Sequence, residues 1–447
     1  MAQWNKNEQD YLNQERTLFE VYMRANKYGE IYEDLGQGFS ADAFGRLRTS
    51  EPFTLGDYKH LYSIDPDFVD VISGIGATVV FDANQAAAIL QSGTSTNGYC
   101  IHQTKRYHHY MPGKSQVIYS TFNYGAAQQN VTKRTGYFDD RDGIYFEQAP
   151  DGTLSFVIRS YVTAGIGTSE RRIPQSQWNK DTLDGNGPSR FTLDITKTQL
   201  FMTDFEWLGV GRVRCGFAID GYNIIAHEFY NANHIPTVYM SNPNLPVRCE
   251  IRNSGTQVGA GGSFIQICST VMSEGGYTEA GREFSHTTPL RLVGVGTTVP
   301  VLAIRLKNSF KGYPNRATVK LEDITVFSSG ANVKYEVVKL KSSTGINTSG
   351  AWVSEHPESV VEYNQTATGI STTDFEDFMG GYAAGDSQNT NKPSATTAQV
   401  MSGPTSKKNF LSQNFNSTDS EIFSVRVSNL GTDAANVGVS MRWREIY

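Results

Sequence analysis

The chain has 447 residues, enough for two or three domains, and a formal net charge of only −6 with 19% charged residues. Scattered Lys and Arg without a basic stripe argue against nucleic-acid binding, and no stretch approaches the ~20 apolar residues needed to span a bilayer. The 42 glycines and 12% aromatic residues favour many short strands joined by tight turns.

Residues 8–25 have the periodicity of an amphipathic helix. Apolar side chains recur at spacings of 3, 4 and 7 residues, and Gly29 follows as a stop signal. A single helix of this kind cannot fold alone, so we expect it to pack on its own domain or on a neighbouring subunit. Residues 34–55 lack periodicity and are predicted to form an extended arm. The apolar face of the helix consists of Tyr11, Leu12, Leu18, Phe19, Tyr22 and Met23.

Strand patterns follow one another from residue 56 to residue 275. Between 137 and 161, Asp142-Gly143 and Asp151-Gly152 separate three apolar-aromatic runs, which predicts successive hairpins with two-residue turns. Residues 191–196 and 212–219 alternate with period two, and the second run ends at Asp220-Gly221. Such patterning over many strands indicates two facing sheets, so we predict a jelly-roll or lectin-like β-sandwich.

A second β region is predicted from 276 to 447. Residues 274–286 are glycine-rich and are predicted to link the two regions. Residues 302–307, 423–428 and 437–444 alternate as strands do. Residues 364–408 are rich in Thr, Ser, Asn, Gly and Ala and predict a long loop, which a partner surface would order. The predicted organisation is a helix and docking arm over 1–55, a first sandwich over 56–275 and a second β-sandwich domain over 276–447.

The sequence contains little catalytic chemistry. There is no nucleotide-binding loop and no GxSxG elbow, and His227-Glu228 lies in a predicted strand without the second histidine of HExxH. We therefore predict no catalytic residues and no cofactor. The four cysteines lack CxxC spacing and are expected to be free buried thiols.

Three carboxylates and a glycine occur within five residues at Asp139, Asp140, Asp142 and Gly143. Calcium prefers clustered oxygen ligands, so this loop is a candidate for a calcium site. The alternative is a plain solvated turn, because the loop lacks the downstream bidentate acid of an EF-hand and lies at a hairpin tip.

Two sets of side chains could contact a sugar. Aromatic rings at contact surfaces bury much area and can also stack on sugar rings, although core or protein contacts are their alternative role. A glycan-degrading enzyme would need two carboxylates roughly 5 to 10 Å apart in a cleft, although surface positions are the alternative for these acids. The candidate rings are Trp178, Tyr222, Tyr230 and Tyr239, and the carboxylates in or near predicted strands are Glu147, Asp204, Glu206 and Glu228.

Several stretches resemble a recurring type of virion structural protein of tailed bacteriophages, especially marine and cyanobacterial phages. They are DAFGRLR at 42–48 with SEPF at 50–53, GYFDDRDGIYFE at 136–147, the run from IPQS at 173–176 through WN at 178–179 to FEWLGVGRVRCGF at 205–217, and PVLAIR at 300–305 with NR at 315–316. Together they span most of residues 1–330. The closing run VSMRWREIY at 439–447 resembles the same proteins more loosely.

The resemblance implies a non-enzymatic virion protein, assembled in the host cytoplasm, that docks on capsid, neck or tail subunits and forms a homo-oligomer. It leaves open whether the protein decorates the head or belongs to the neck, tail or fibres. The helix and arm would then carry the docking residues, unless the arm wraps its own sandwich. These residues are Leu18, Phe19, Tyr22, Phe39, Phe44, Arg46, Leu47, Arg48 and Phe53.

Two further functions remain as alternatives. The first is a receptor-binding module that grips host-surface glycan through the lectin-like sandwich, with its groove lined by exposed aromatic rings. The second is a glycan-degrading enzyme, for which the sequence provides no positive signal.

Overall fold

The computed structural model describes residues 51–162, 167–256, 261–278, 281–371, 375–385 and 410–447, together with the backbone of short strands at 22–25, 31–34 and 394–399. Nearly all of the regular structure is β-strand. The helical segments among the described residues are two short 3-10 turns, Gln175–Gln177 and Ser343–Gly345. Within the same ranges, no helix has the length and apolar character needed to cross a membrane.

The first half of the chain forms strands β1 to β17. In chain order they are β1 (Tyr22–Ala25), β2 (Ile31–Asp34), β3 (Phe53–Lys59), β4 (Phe68–Ser73), β5 (Ala77–Asp82), β6 (Ala87–Ser92), β7 (Tyr99–Thr104), β8 (Gln116–Asn123), β9 (Val131–Phe138), β10 (Gly143–Gln148), β11 (Leu154–Ser160), β12 (Ser169–Pro174), β13 (Gln199–Phe205), β14 (Val213–Ile219), β15 (Tyr222–Phe229), β16 (Val247–Asn253) and β17 (Ser263–Ser273).

Strands β3 to β17 build the first sandwich from two antiparallel sheets. One sheet has the order β12-β11-β10-β9-β16-β7-β4, and the other has the order β15-β14-β13-β8-β17-β6-β5, with β3 also pairing with β17. Aromatic rings from both sheets meet between them. The ring of Phe146 on β10 lies 5.8 Å from Phe201 on β13 and 5.2 Å from Phe217 on β14. The prediction of an all-β protein with a jelly-roll or lectin-like sandwich is therefore confirmed.

The predicted hairpins form, but their turns differ in length. Asp220 and Gly221 make a two-residue turn between β14 and β15, and both have positive φ, at 51° and 85°. That backbone matches the twist of the paired strands, which is why Asp-Gly favours it. By contrast, four residues (139–142) join β9 to β10 and five (149–153) join β10 to β11. The two-residue turns predicted there are wrong, because Gly143 belongs to β10.

The second half of the chain forms strands β18 to β33. They are β18 (Arg282–Thr287), β19 (Arg291–Val293), β20 (Thr298–Leu306), β21 (Ser309–Phe310), β22 (Tyr313–Pro314), β23 (Thr318–Ser329), β24 (Val333–Leu340), β25 (Ile346–Thr348), β26 (Val353–Ser354), β27 (Val361–Asn364), β28 (Ala367–Ile370), β29 (Phe375–Ala383), β30 (Ser394–Gln399), β31 (Phe410–Leu411), β32 (Ile422–Asn429) and β33 (Ala435–Ile446).

These strands form a second antiparallel sandwich. One sheet has the order β18-β33-β23-β30, with β19 added to β33 and β31 to β23, and the other has the order β26-β27-β20-β32-β24-β29. The predicted alternation holds in β33, where one face is buried between the sheets. That face consists of Val437, Val439, Met441 and Trp443.

The predicted helix over 8–25 is wrong at its C-terminal end. Tyr22–Ala25 is strand β1, which pairs antiparallel with β2 in a register that runs from Tyr22 opposite Asp34 to Ala25 opposite Ile31. The intervening sequence contains Asn26 and Gly29, which favour a turn, so local hairpin pairing overrides the helical period there. Residues 8–21 lie outside the described ranges.

Three other predicted segments also differ from the structure. Residues 274–286 are not wholly a linker, because β18 begins at Arg282 and pairs with β33. Residues 364–408 are not one loop, because β28, β29 and β30 fall within them, and β29 and β30 complete sheet edges. Edge strands need no continuous apolar face, so their signal is weak. Residues 191–196 form only an isolated bridge, Asp184 with Thr192, and the apolar side chains there pack on the core as a loop.

The two sandwiches contact each other directly. The hydroxyl of Thr318 on β23 donates to the carbonyl of Tyr107 at 3.2 Å, and the Arg316 guanidinium lies 4.5 Å from the Tyr107 ring centroid. Nearby, the Arg106 guanidinium lies 4.2 Å from the Phe410 ring centroid. These contacts set the loops of both sandwiches side by side and create the hollows described below.

Candidate functional site

Among the predicted docking residues, Phe53 is the one whose side chain the structure describes. Its ring stacks on Tyr277 with the centroids 4.8 Å apart, and it packs against the core of the first sandwich. Phe53 therefore belongs to β3 of the sandwich and not to a free arm. Tyr22 is described only as backbone of β1. The other predicted docking residues lie outside the described ranges: Leu18, Phe19, Phe39, Phe44, Arg46, Leu47 and Arg48.

The four predicted sugar-contact rings do not lie together on one exposed surface. Trp178 is buried in the first core, stacked on Phe156 at 4.3 Å, and Tyr239 is buried with its hydroxyl on the backbone carbonyl of Glu206. Neither ring is available to a sugar, which corrects the prediction for these two residues. Tyr222 is 64% exposed, and Tyr230 is also exposed.

Two candidate carboxylates of the β13-β14-β15 region are held by cations, whereas the third, Glu206, follows β13 directly and is exposed. Asp204 pairs with Arg214, and Glu228 lies 3.2 Å from Lys180 Nζ. Burial alone would raise the pKa of Glu228, but hydrogen bonds from Tyr230 and Lys180 outweigh it and lower that pKa. A depressed pKa suits a fixed ion pair and not a general acid.

The remaining buried candidate, Glu147 on β10, belongs to a charge network on the outer face of the seven-stranded sheet. Arg134 Nε donates to it at 2.7 Å, and Arg172 Nε donates at 2.8 Å. Arg134 also donates to Glu250 at 2.9 Å, and Arg248 pairs with Glu250 as well. The sequence analysis missed this network, although the alternation of charges at 248, 250 and 252 is a signal for it.

The acidic loop over residues 139–142 is a turn closed by its own hydrogen bonds. Asp139 Oδ1 accepts the backbone N–H groups of Arg141 and Asp142 at 2.8 and 3.0 Å. Asp142 is buried and accepts both the backbone N–H and the hydroxyl of Ser241. Burial raises the pKa of Asp142, and the hydrogen bonds from Ser241 oppose that rise.

Asp140, the third carboxylate of this loop, points elsewhere. Its Oδ1 lies 2.9 Å from Nη1 of Arg248, which is fully buried, while the Asp140 side chain is 59% exposed. The three carboxylates thus serve three different partners. Across the described ranges, no group of three or more His, Cys, Asp or Glu side chains is placed to hold a metal ion.

A hollow of 620 Å³ opens beside this loop, between the two sandwiches, and we call it the inter-sandwich cleft. The first sandwich contributes the 139–142 loop, the chain after β11 and the chain before β16. The second sandwich contributes the β21-β22 hairpin and the loop before β32. Its walls combine aromatic rings with charged and amide groups: Tyr107, Tyr161, Asn242, Tyr313, Arg316 and Phe415, together with residues 139–142.

A second hollow of 710 Å³ lies at another part of the boundary, lined by both lysines and acids. Several of its charged groups are already engaged in ion pairs. Glu421 lies 2.8 Å from Lys339 Nζ and 3.7 Å from Lys105 Nζ, and Lys59 lies 3.6 Å from Asp57. The inter-sandwich cleft is therefore the better candidate for a ligand.

No protein-family profile and no curated protein matches this chain. Among solved structures, it is similar to a protein of unknown function from Shewanella oneidensis MR-1, at 10% identity and a TM-score of 0.33 over 63% of this chain and 99% of that one. It is also similar to the carbohydrate recognition domain of Emp47p, at 9% identity and a TM-score of 0.29 over 52% and 98%. A third similar structure is a Bacteroides ovatus GH16 protein from a mixed linkage glucan PUL, at 9% identity and a TM-score of 0.31 over 49% of this chain and 99% of that one. Similarities this low carry no argument about activity or ligand.

Proposed function

We propose that this chain is a non-enzymatic structural subunit of a tailed-bacteriophage particle, where it assembles with copies of itself and with neighbouring virion proteins. The resemblance of its sequence to phage virion proteins supports the phage context. The engagement of the buried carboxylates by Arg and Lys supports a structural role over a hydrolytic one.

The observation that carries assembly is the free edge of the first sandwich at β5. Among the described residues, β5 pairs with β6 on one side and with no strand on the other. Residues 77–81 of this edge are uncharged, although edge strands are usually protected by charges, Pro or a covering element. Val80 on β5 is 51% exposed, and Ile75 in the preceding turn is 80% exposed. Such an edge is suited to pairing with another strand.

A second copy of the same strand is the partner that this edge fits. Two antiparallel β5 strands can be related by a two-fold axis, as in the commonest homodimers. Opposite residues of an antiparallel pair point to the same face of the sheet, so the axis can pass between Val80 and Val80 of the copy, which places Asp82 opposite Thr78. The one charged residue of the strand then meets no like charge, and the two exposed Val80 side chains pack against each other across the axis.

The test is the oligomeric state of the full chain by sedimentation velocity at micromolar concentration, with Val80→Lys as the disrupting variant. We expect the wild-type chain to form a dimer or a larger symmetric oligomer and Val80→Lys to shift it to monomer with unchanged circular dichroism. Val353→Lys on β26, an edge strand of the second sandwich, is the matched control and should leave the oligomer intact. A monomeric wild-type chain, or equal effects of both variants, would contradict the β5 edge as the interface.

Location in the particle tests the phage context separately. An electron cryomicroscopy map of purified particles should show ordered copies of this chain at symmetric positions. Particles that lack the chain by mass spectrometry would remove the virion proposal.

A further inference from the structure

We infer that the inter-sandwich cleft binds a neutral oligosaccharide. The inference goes beyond the structural role and does not depend on it, because the cleft lies at the boundary between the sandwiches and not at the β5 edge. The proposed glycan site does not include Trp178 and Tyr239, because both side chains are buried in the core.

The size and position of the cleft suit a small ligand. Its volume of 620 Å³ is within the range of about 300–1,000 Å³ that is typical of ligand sites, and such sites favour the boundary between two folded units. The cleft is neither an enclosed cavity nor a flat surface, as suits a groove for a chain of sugar rings.

Exposed aromatic surface is the first feature that favours a sugar. Tyr313, on the β21-β22 hairpin, is 66% exposed at the wall of the cleft. On the other wall, the ring of Tyr161 has the Arg141 guanidinium 4.8 Å from its centroid, which fixes its orientation. An amphipathic ring of this kind offers an apolar face to the C–H groups of a pyranose and a hydroxyl to its polar edge.

The polar groups between the rings match hydroxyl chemistry. Each sugar hydroxyl both donates and accepts, so a complementary wall must offer both functions. Asp140 supplies acceptors, and its partner Arg248 engages one oxygen, Oδ1. The Oδ1 of Asn242 accepts a hydrogen bond from the backbone N–H of Asn244, which leaves the side-chain NH₂ of Asn242 as a donor. Asn416 adds a second amide to the lining.

The charge balance favours a neutral ligand over an acidic one. The lining includes three carboxylates, at Asp139, Asp140 and Asp142, against the guanidinium groups of Arg141 and Arg316. The carboxylates outnumber the guanidinium groups, and Arg316 is already stacked on Tyr107 and bonded to the carbonyl of Phe415 at 2.9 Å. A carboxylated or sulfated glycan would face this excess of carboxylates among the lining residues.

The part of the wall formed by the 139–142 loop is held in place by hydrogen bonds within the protein. Asp142 ties the 139–142 loop to Ser241 through two hydrogen bonds, and Asp139 closes the turn on itself. A site whose groups are already fixed loses less entropy on binding, so weak individual contacts can sum to measurable affinity.

The experiment is isothermal titration calorimetry of the full chain with a panel of neutral tetrasaccharides of glucose, mannose and galactose, beside acidic tetrasaccharides of similar length. We expect at least one neutral tetrasaccharide to bind. Tyr313→Ala should weaken that binding about tenfold, as for loss of one aromatic contact, and Tyr313→Phe should retain most of it. Because Tyr313 is exposed, thermal unfolding of both variants should match the wild type.

Tyr222→Ala is the control, because Tyr222 is equally exposed but lies on the first sandwich at the β14-β15 turn. The inference is overturned if no neutral tetrasaccharide binds, if only acidic ones bind, or if Tyr222→Ala weakens binding while Tyr313→Ala does not. A particle map in which a polypeptide segment of a neighbour fills the cleft would overturn it as well. Failure of the β5 test leaves all of these outcomes unchanged, so the two proposals can fail independently.

Discussion

Arg134 on β9 lies in register with Glu250 on β16, and its Nη1 is 2.9 Å from Glu250 Oε1. On its other side Arg134 is in register with Glu147 on β10. One guanidinium thus joins three adjacent strands of the seven-stranded sheet through two charge-assisted bonds. Removing one partner of such a buried pair destabilises a fold by more than the net contribution of the pair, because the other charge is left buried without a counter-charge.

Replacing Glu250 by Gln should destabilise the fold by about 3–5 kcal/mol, because Arg134 and Arg248 would lose a buried counter-charge. Urea unfolding followed by intrinsic fluorescence measures the change. Glu283→Gln is the control, because Glu283 pairs with Arg442 and Arg444 at the surface and should change stability by less than about 1 kcal/mol. Equal effects of the two substitutions would show that burial of the network adds nothing.

Glu170 should make the free energy of unfolding depend on pH in the acid range. Burial alone would raise its pKa, but the Tyr145 hydroxyl and the Arg159 guanidinium outweigh burial and lower the pKa from 4.5 to about 2. The folded protein therefore holds fewer protons than the unfolded chain between these values. The contribution of Glu170 is fully present above pH 4.5 and is lost as pH falls toward 2.

We therefore expect Glu170→Gln to be less stable than the wild type near neutral pH and to approach it as the pH falls to about 3. Unfolding free energies of both proteins at several pH values in this window provide the measurement. A difference that stays constant with pH would show that Glu170 titrates at its ordinary value in the folded state.

Much of the fold could be predicted from residue alternation, and particular strands show why. In β14, Val213, Cys215 and Phe217 face the core, and their apolar period of two is evident in the sequence. β29 lacks this signal, because an edge strand with mostly exposed or half-buried side chains does not need one apolar face. Its two glycines, Gly380 and Gly381, make it resemble a loop.

The candidate site was less predictable, because it is made by tertiary contact. The acidic loop at 139–142 was recognisable as a feature, but nothing local relates it to Tyr313 and Phe415, which the second sandwich brings to the opposite wall. Trp178 is a second residue whose role the sequence alone could not predict. A tryptophan at a contact surface and one in a core have the same sequence signal, and only the packing on Phe156 distinguishes them.

The four cysteines are unpaired and differ in burial, so their reactivity should differ as well. Burial raises the pKa of Cys100 to about 11 and that of Cys249 to about 12, and it raises the pKa of Cys215 further. The thiolate is the reactive form, so these three should react slowly in the folded protein. Cys268 is only partly buried and should react first.

Titration with a chromogenic disulfide reagent checks this order. One thiol should react quickly under native conditions, and all four should react once the chain is unfolded in guanidinium. Cys268→Ser should abolish the fast phase alone. Fast reaction of two or more thiols in the folded protein would contradict the burial of the β7, β14 and β16 cysteines.

Gly143, at the start of β10, has φ of +149° and lies against Phe138 across the hairpin. A Cβ there would lie 2.0 Å from Phe138 Cβ and 2.3 Å from Phe138 Cα, so the paired strands would have to separate. Gly143→Ala should therefore destabilise the fold by roughly 3 kcal/mol, the sum of backbone strain and overpacking. Thermal unfolding monitored by circular dichroism gives the value. Gly113→Ala is the matched control: its φ is +83° but no heavy atom lies within 4 Å of the added Cβ. It should lose only the backbone component of about 1–2 kcal/mol, and equal losses at both positions would mean that the β9-β10 hairpin yields to the added methyl group without cost.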